Sequence, residues 1–226
     1  MSRFEGFADA QAKFFRRLAK NQNREWFQAH KEEFELGYNE PMKALLAELR
    51  EALDPLFPHA DLDEPKVLRI YRDVRFSKDK SPYKTHIGGM VPTKRAGKSN
   101  AVPAALYFHL GTEIFAAAGH YMMDGPDLAR FRAAVADDAR GKELEGIVAK
   151  LRKKGFKTES HGALKRAPRG FDPEHPRGEL LKVTGLVAMF PALPAEILKS
   201  RKLVSWLVAR SKEVAPFVEW LVFATA

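Results

Sequence analysis

Through residue 53 the apolar side chains recur at three- and four-residue steps, the spacing of helices with one buried face. A first helix is expected from Ala8 to Lys20, with Phe14, Phe15 and Leu18 on one side and a stop near Asn21. Asn23 suits the N-cap of a second, in which Trp26, Phe27, His30 and Phe34 align and after which Gly37 ends the run. Pro41 is placed to open a third, whose stripe is Met42, Leu45, Leu46, Leu49 and Leu53.

The period then changes to two. Over residues 67–76, Leu68, Ile70, Val74 and Phe76 alternate with Arg69, Tyr71, Asp73 and Arg75, which predicts a half-buried strand with Arg72 misplaced on the apolar side. A polar loop, SKDKSPY, leads to a short strand from His86 to Val91, and KRAGKSN reads as a flexible connection. ALYFHL and EIFAAAGHYM flank Gly111-Thr112, a pair suited to a two-residue hairpin turn. That turn would pair His109 with Ile114 and Tyr107 with Ala116. It would leave Tyr107, His109, Ala116, Ala118 and His120 on the face away from the core, and Phe115 and Ala117 toward it. Helices follow from Pro126 and from Glu143 to Lys154, closing at Gly155; LLKVTG is a further strand candidate, and the chain beyond Pro194 reads as helix broken at Pro216. The expected class is α+β: an antiparallel meander of about four to six strands packed by N-terminal and C-terminal helices. We expect a single domain over 1–226, with a helical part at 1–60, the sheet at 66–122, and helices with a final strand at 124–226.

Composition narrows the chemistry. With no cysteine among 226 residues, thiol nucleophiles, disulfides and thiolate metal sites are excluded, and a reducing, cytoplasmic setting is expected. The N-terminus lacks an apolar signal core, and the longest apolar runs fall short of the about 20 residues a membrane span needs. The net charge of +9 is unevenly spread. Residues 66–98 carry ten Lys or Arg against two Asp, residues 150–169 carry eight against one Glu, and the remainder sums to −6. Such focused charge marks a contact surface for anions.

The segment RDVRFSKDKSPYKTH, together with NREWFQAHKEEF, YFHLGTEIFAAAGHY and LKRAPRGFDPEHPRGELLK, closely resembles the signature of the bacterial and fungal family Domain of Unknown Function 2461. Tyr71 stands where that family more often carries Asn. The resemblance spans nearly the whole chain and implies one mixed α/β unit, but no activity.

The candidate site is therefore read from the residues. Arg69, Arg72 and Arg75 present planar forks suited to phosphate or carboxylate, and Lys78, Lys80 and Lys84 add point charges. Asp73 is placed to orient guanidinium groups, and Asp73, Tyr83 and His86 are the groups available for proton transfer. Tyr107 and His109 are expected on an opposite wall. An anionic, phosphorylated or polycarboxylate small molecule is the first partner expected. A nucleic acid bound by segments 66–98 and 150–169 is the second reading. In a third, the cations are satisfied internally and the segment is structural. No metal motif, dinucleotide or Walker loop, or serine elbow occurs, so no metal is expected and the cofactor is left open.

Overall fold

The structure, a computed structural model, describes residues 3–75, 78–94 and 103–225. Its centre is a six-stranded antiparallel sheet of β1 (Lys66–Val67), β2 (His86–Pro92), β3 (Pro103–Gly111), β4 (Ile114–His120), β5 (Lys157–Glu159) and β6 (Leu186–Met189), in the order β1-β2-β3-β4-β6-β5. The α+β class with a meander through β1–β4 is thus as the sequence implies. The sheet continues beyond residue 122, because β6 and β5 add to the β4 edge.

The N-terminal helices are α1 (Lys13–Lys20), α2 (Arg24–Ala29), α3 (Lys31–Phe34) and α4 (Glu40–Leu53). Asn23 does cap α2, its side chain accepting a hydrogen bond from the Trp26 N–H at 2.8 Å. Gly37 does not end a helix: a π-turn at Glu35–Asn39 carries α3 into α4 without a break. There Tyr38 turns inward and meets Phe15 at 4.7 Å, so burial of one large ring accompanies the irregular turn.

After β4 come α5 (Gly125–Ala136), capped by Asp124, and α6 (Asp138–Lys153), capped by Asp137. Gly155, at φ +86°, closes α6, with the Phe156 N–H reaching back to the Leu151 carbonyl. At LLKVTG the expected strand is reduced to the end of α7 (Gly178–Lys182) and an isolated antiparallel bridge from Val183 to Ala163, and the strand proper begins at Leu186. A 3₁₀ turn at Ala195–Lys199 precedes α8 (Lys202–Thr225), which passes through Pro216 uninterrupted. Burial of Val214, Ala215, Phe217 and Val218 around the proline outweighs the hydrogen bond it removes.

Helices α4 and α8 cover one face of the sheet, α4 over β1 and β2, α8 over β3 and β4. Gly89 makes the first contact possible: a Cβ there would stand 2.7 Å from the Met42 sulfur. On that face Ile87, Val91, Leu106, Phe108, Leu110, Ala116 and Ala118 are buried.

Two expectations in the middle of the chain are corrected. The strand over 67–76 is real only at Lys66–Val67; from Leu68 to Arg75 the backbone is an open, extended loop. Among the described residues its backbone is paired by one isolated bridge, Tyr71 to Tyr83, with Arg72 N–H to Pro82 C=O and Lys84 N–H to Ile70 C=O. Pro82 has no N–H to extend that ladder, which is why it stops. Phe76 and Ser77, and most of KRAGKSN, lie outside the described residues.

The second correction is the β3–β4 register. Leu110 pairs with Ile114, His109 with Phe115 and Tyr107 with Ala117, one position from the two-residue-turn pairing. Gly111 belongs to the strand, opposite His86, where a Cβ would come within 2.5 Å of the His86 Cβ. Its glycine serves strand approach, and the turn takes an extra residue. The slip exchanges the faces of β4: Phe115 and Ala117 turn outward, Ala116 and His120 inward.

Candidate functional site

The face of the sheet not covered by α4 and α8 is a groove of about 820 Å³. From β2 come His86 and Met90, from β3 Tyr107 and His109, from β4 Phe115, Ala117 and Gly119, and from β6 Val187 and Met189. Leu68 and Lys84 close one end, and Tyr121, Met122, Glu159, Ser160 and His161 the other. Period-two alternation puts these side chains together: one residue in two on each strand faces out.

At the Lys84 end three rings are stacked. His86 and His109 lie 4.0 Å apart between centroids, and His109 stacks on Phe115 at 4.5 Å and 16°. The Tyr107 hydroxyl and His109 Nδ1 are 3.1 Å apart and share a hydrogen bond. Gly88 makes room for Tyr107, since a Cβ would fall 2.8 Å from that hydroxyl.

Burial pushes His86 down to about 4, helped by the cations of Lys84 and Arg72, and burial with His86 beside it pushes His109 to about 4. Both imidazoles are therefore neutral at neutral pH and offer one N–H each. Burial also raises Tyr107 to about 12, so it stays a phenol. Lys84 is pushed down by burial and then by Arg69 and Arg72. Among the described residues it forms no ion pair, and the groups acting on it are all cationic.

The other expected site residues lie elsewhere. Asp73 takes Arg75 at 2.7 Å and Arg69 more distantly at 4.0 Å, and its carboxyl is held well below the usual range by Arg75. Arg72 is held by Asp79 at 2.5 Å and by the Tyr83 carbonyl at 3.3 Å. Lys80 donates to the Val74 carbonyl, and Lys78 is exposed. Tyr83 is a core residue, 2% exposed and stacked on Phe27 at 4.4 Å. Of the eleven residues singled out in the sequence, the structure thus brings Lys84, His86, Tyr107 and His109 into one groove. Of the others, Arg69, Arg72, Asp73 and Arg75 lie in ion pairs beside the groove, Lys78 and Lys80 are exposed, and Tyr83 packs against α2.

Sequence reading missed Phe115 and Ala117 through the register, and the far wall through the missed β5. His161 had only its type to mark it; the fold places it beside Tyr121, with Nδ1 2.6 Å from the tyrosine hydroxyl. The two basic segments include the opposite edge strands of the sheet, β1 and β5, about five strand spacings or 24 Å apart. Among the described residues no cluster of three or more metal-ligating side chains occurs, and no helix is long and apolar enough to cross a membrane.

An antiparallel sheet with helices on one face and a ring-lined groove on the other defines the class of protein: an α+β fold that presents the open face of its sheet. The family model for a conserved hypothetical protein, DUF2461, matches residues 10–220. The chain belongs to that family. A search of curated proteins gives no match.

Proposed function

We propose that the protein binds an anionic small molecule in the groove, with the charged group held at the corner formed by Lys84 and His86. One observation carries this reading: Lys84 is half-buried beside two guanidinium groups and has no carboxylate partner among the described residues. A lysine left in that setting is destabilised by lost hydration and by like charge, and an anion relieves both. The neutral His86 imidazole adds an N–H donor and no further charge, which favours a monoanion over a polyphosphate. The arginines of the preceding loop are already occupied by Asp73 and Asp79 and act on the ligand only through their field.

The test is titration with anilinonaphthalene sulfonate, a fluorescent probe with one anionic group on an aromatic body. Wild type is expected to bind it, and Lys84→Gln about tenfold or more weakly, since a hydrogen bond to a charged group contributes about 1.5–3 kcal/mol. Lys78→Gln, an equal charge change outside the groove, leaves affinity as it was. Equal binding by wild type and Lys84→Gln, with both folded by circular dichroism, ends the proposal.

A further inference from the structure

The shape of the floor says more about the ligand than the charge does. Register lays the outward side chains in rows: His86 in the first, His109 and Phe115 in the second, Met90, Tyr107, Ala117 and Met189 in the third, Gly119 and Val187 in the fourth. From His86 on β2 to Val187 on β6 is three rows along the strands and three spacings across them. The diagonal is on the order of 25 Å. Among the described lining residues, charge occurs only at the two ends, on Lys84 and Glu159. Ala117 and Gly119 keep the middle of the path low, while Phe115 and the methionines flank it, and methionine adapts its shape to flexible partners.

From this path we infer that the ligand is a linear amphiphile, a carboxylate with an extended hydrocarbon tail, its head against Lys84 and its tail along Ala117 toward Met189 and Val187. The inference rests on the anion reading above and adds the length and apolar character of the rest of the molecule. A compact anion would meet Lys84 and leave most of the floor bare. A tail covers apolar surface that no helix covers. Charge complementarity fixes its direction, since Glu159 stands at the far end and repels a carboxylate there.

The experiment is a series of saturated carboxylates from octanoate through decanoate and dodecanoate to tetradecanoate, each below its micelle threshold. Binding is read by calorimetry on wild type, Lys84→Gln, Met189→Gln and Ala117→Phe, and thermal melting checks that each variant folds. In wild type, affinity rises about two- to fourfold per added methylene, the worth of one CH₂ leaving water. Lys84→Gln lowers every member by a similar factor. Met189→Gln keeps the short members and flattens the rise among the long ones. Ala117→Phe blocks the path and does the same more strongly; should it fail to fold, Met189→Gln carries the test.

Lys84-dependent binding that does not change with length overturns the amphiphile and leaves the anion site standing. A rise with length that ignores Lys84 is adsorption to an apolar face, and it overturns the head-group assignment. No binding by any carboxylate, together with no binding of the sulfonate probe, removes both. Sedimentation of the same samples tests the other occupant of an open sheet face, a second copy of the chain: a dimer dissociated by Ala117→Phe, with no carboxylate bound, overturns the inference.

Discussion

Acid should loosen this protein through the stacked imidazoles, and His109→Gln is the substitution that shows it. An unfolded histidine titrates near 6.5, whereas burial holds His86 and His109 near 4. Between those values the unfolded chain takes up protons that the folded chain refuses. Stability is therefore whole above about pH 6.5 and falls as pH drops toward about 4, the direction for a base whose folded pKa is depressed. A shift from 6.5 to about 4 corresponds to at most about 3.4 kcal/mol per ring. Both rings line an open groove, so solvent screening reduces this to about 1–2 kcal/mol each. A glutamine at position 109 does not titrate, and its amide can still pair with the Tyr107 hydroxyl.

Urea unfolding followed by tryptophan fluorescence at about pH 7.5 and about pH 4.5 gives the two stabilities for each protein. Wild type is expected to lose about 1–2 kcal/mol more than His109→Gln over that interval. The remaining histidines and all carboxylates are common to both proteins and cancel in the comparison. Parallel losses in the two proteins would show that the stacked rings are not held neutral by burial, and the electrostatic account of the groove would go with them.

Other expectations follow from single contacts. Gly88→Ala puts a Cβ 2.8 Å from the Tyr107 hydroxyl, so the ring must leave the floor; we expect a loss of about 1–3 kcal/mol and a changed His109 ring signal by NMR. Gly119 has φ +123° and a Cβ position 2.5 Å from the Leu186 carbonyl, so Gly119→Ala should separate β4 from β6 and lower the melting temperature more than Gly88→Ala does. Arg177 is 4% exposed, and its guanidinium holds the Val135 carbonyl at 2.7 Å and the Asp138 carboxylate at 2.9 Å. Arg177→Met strands the buried Val135 carbonyl and should cost about 3 kcal/mol in urea unfolding. Lys84→Gln, by contrast, should leave the ligand-free protein equally stable or about 0.5 kcal/mol more stable, because it removes a charge that burial and two arginines disfavour. A marked loss of stability would mean that Lys84 serves the fold.

Local patterns reached the helices well. Asn23 caps where the sequence places it, because a cap needs only the side chain and the next turn of backbone. The π-turn at Glu35–Asn39 and the passage of α8 through Pro216 were not legible. In both, burial of side chains such as Tyr38 and Phe217 against distant elements overrides the local preference. Likewise Arg177 is drawn inward by carbonyls at the end of α5, more than forty residues earlier in the chain.

For the site, the sequence by itself determined the inventory: a concentration of cations at 69–86, the outward-facing pair Tyr107 and His109, and the absence of thiol chemistry. It also determined that Asp73 and Asp79 lay close enough in the chain to pair with the arginines around them. Only the tertiary structure decided which cation enters the groove, because the loop fold that gives Arg75 to Asp73 and Arg72 to Asp79 leaves Lys84 directed into it. It also decided which face of β4 joins the floor. Alternation fixes that two faces exist, but their assignment turns on one residue of register, and that register is set by Gly111 meeting His86 across a strand twenty-five positions away.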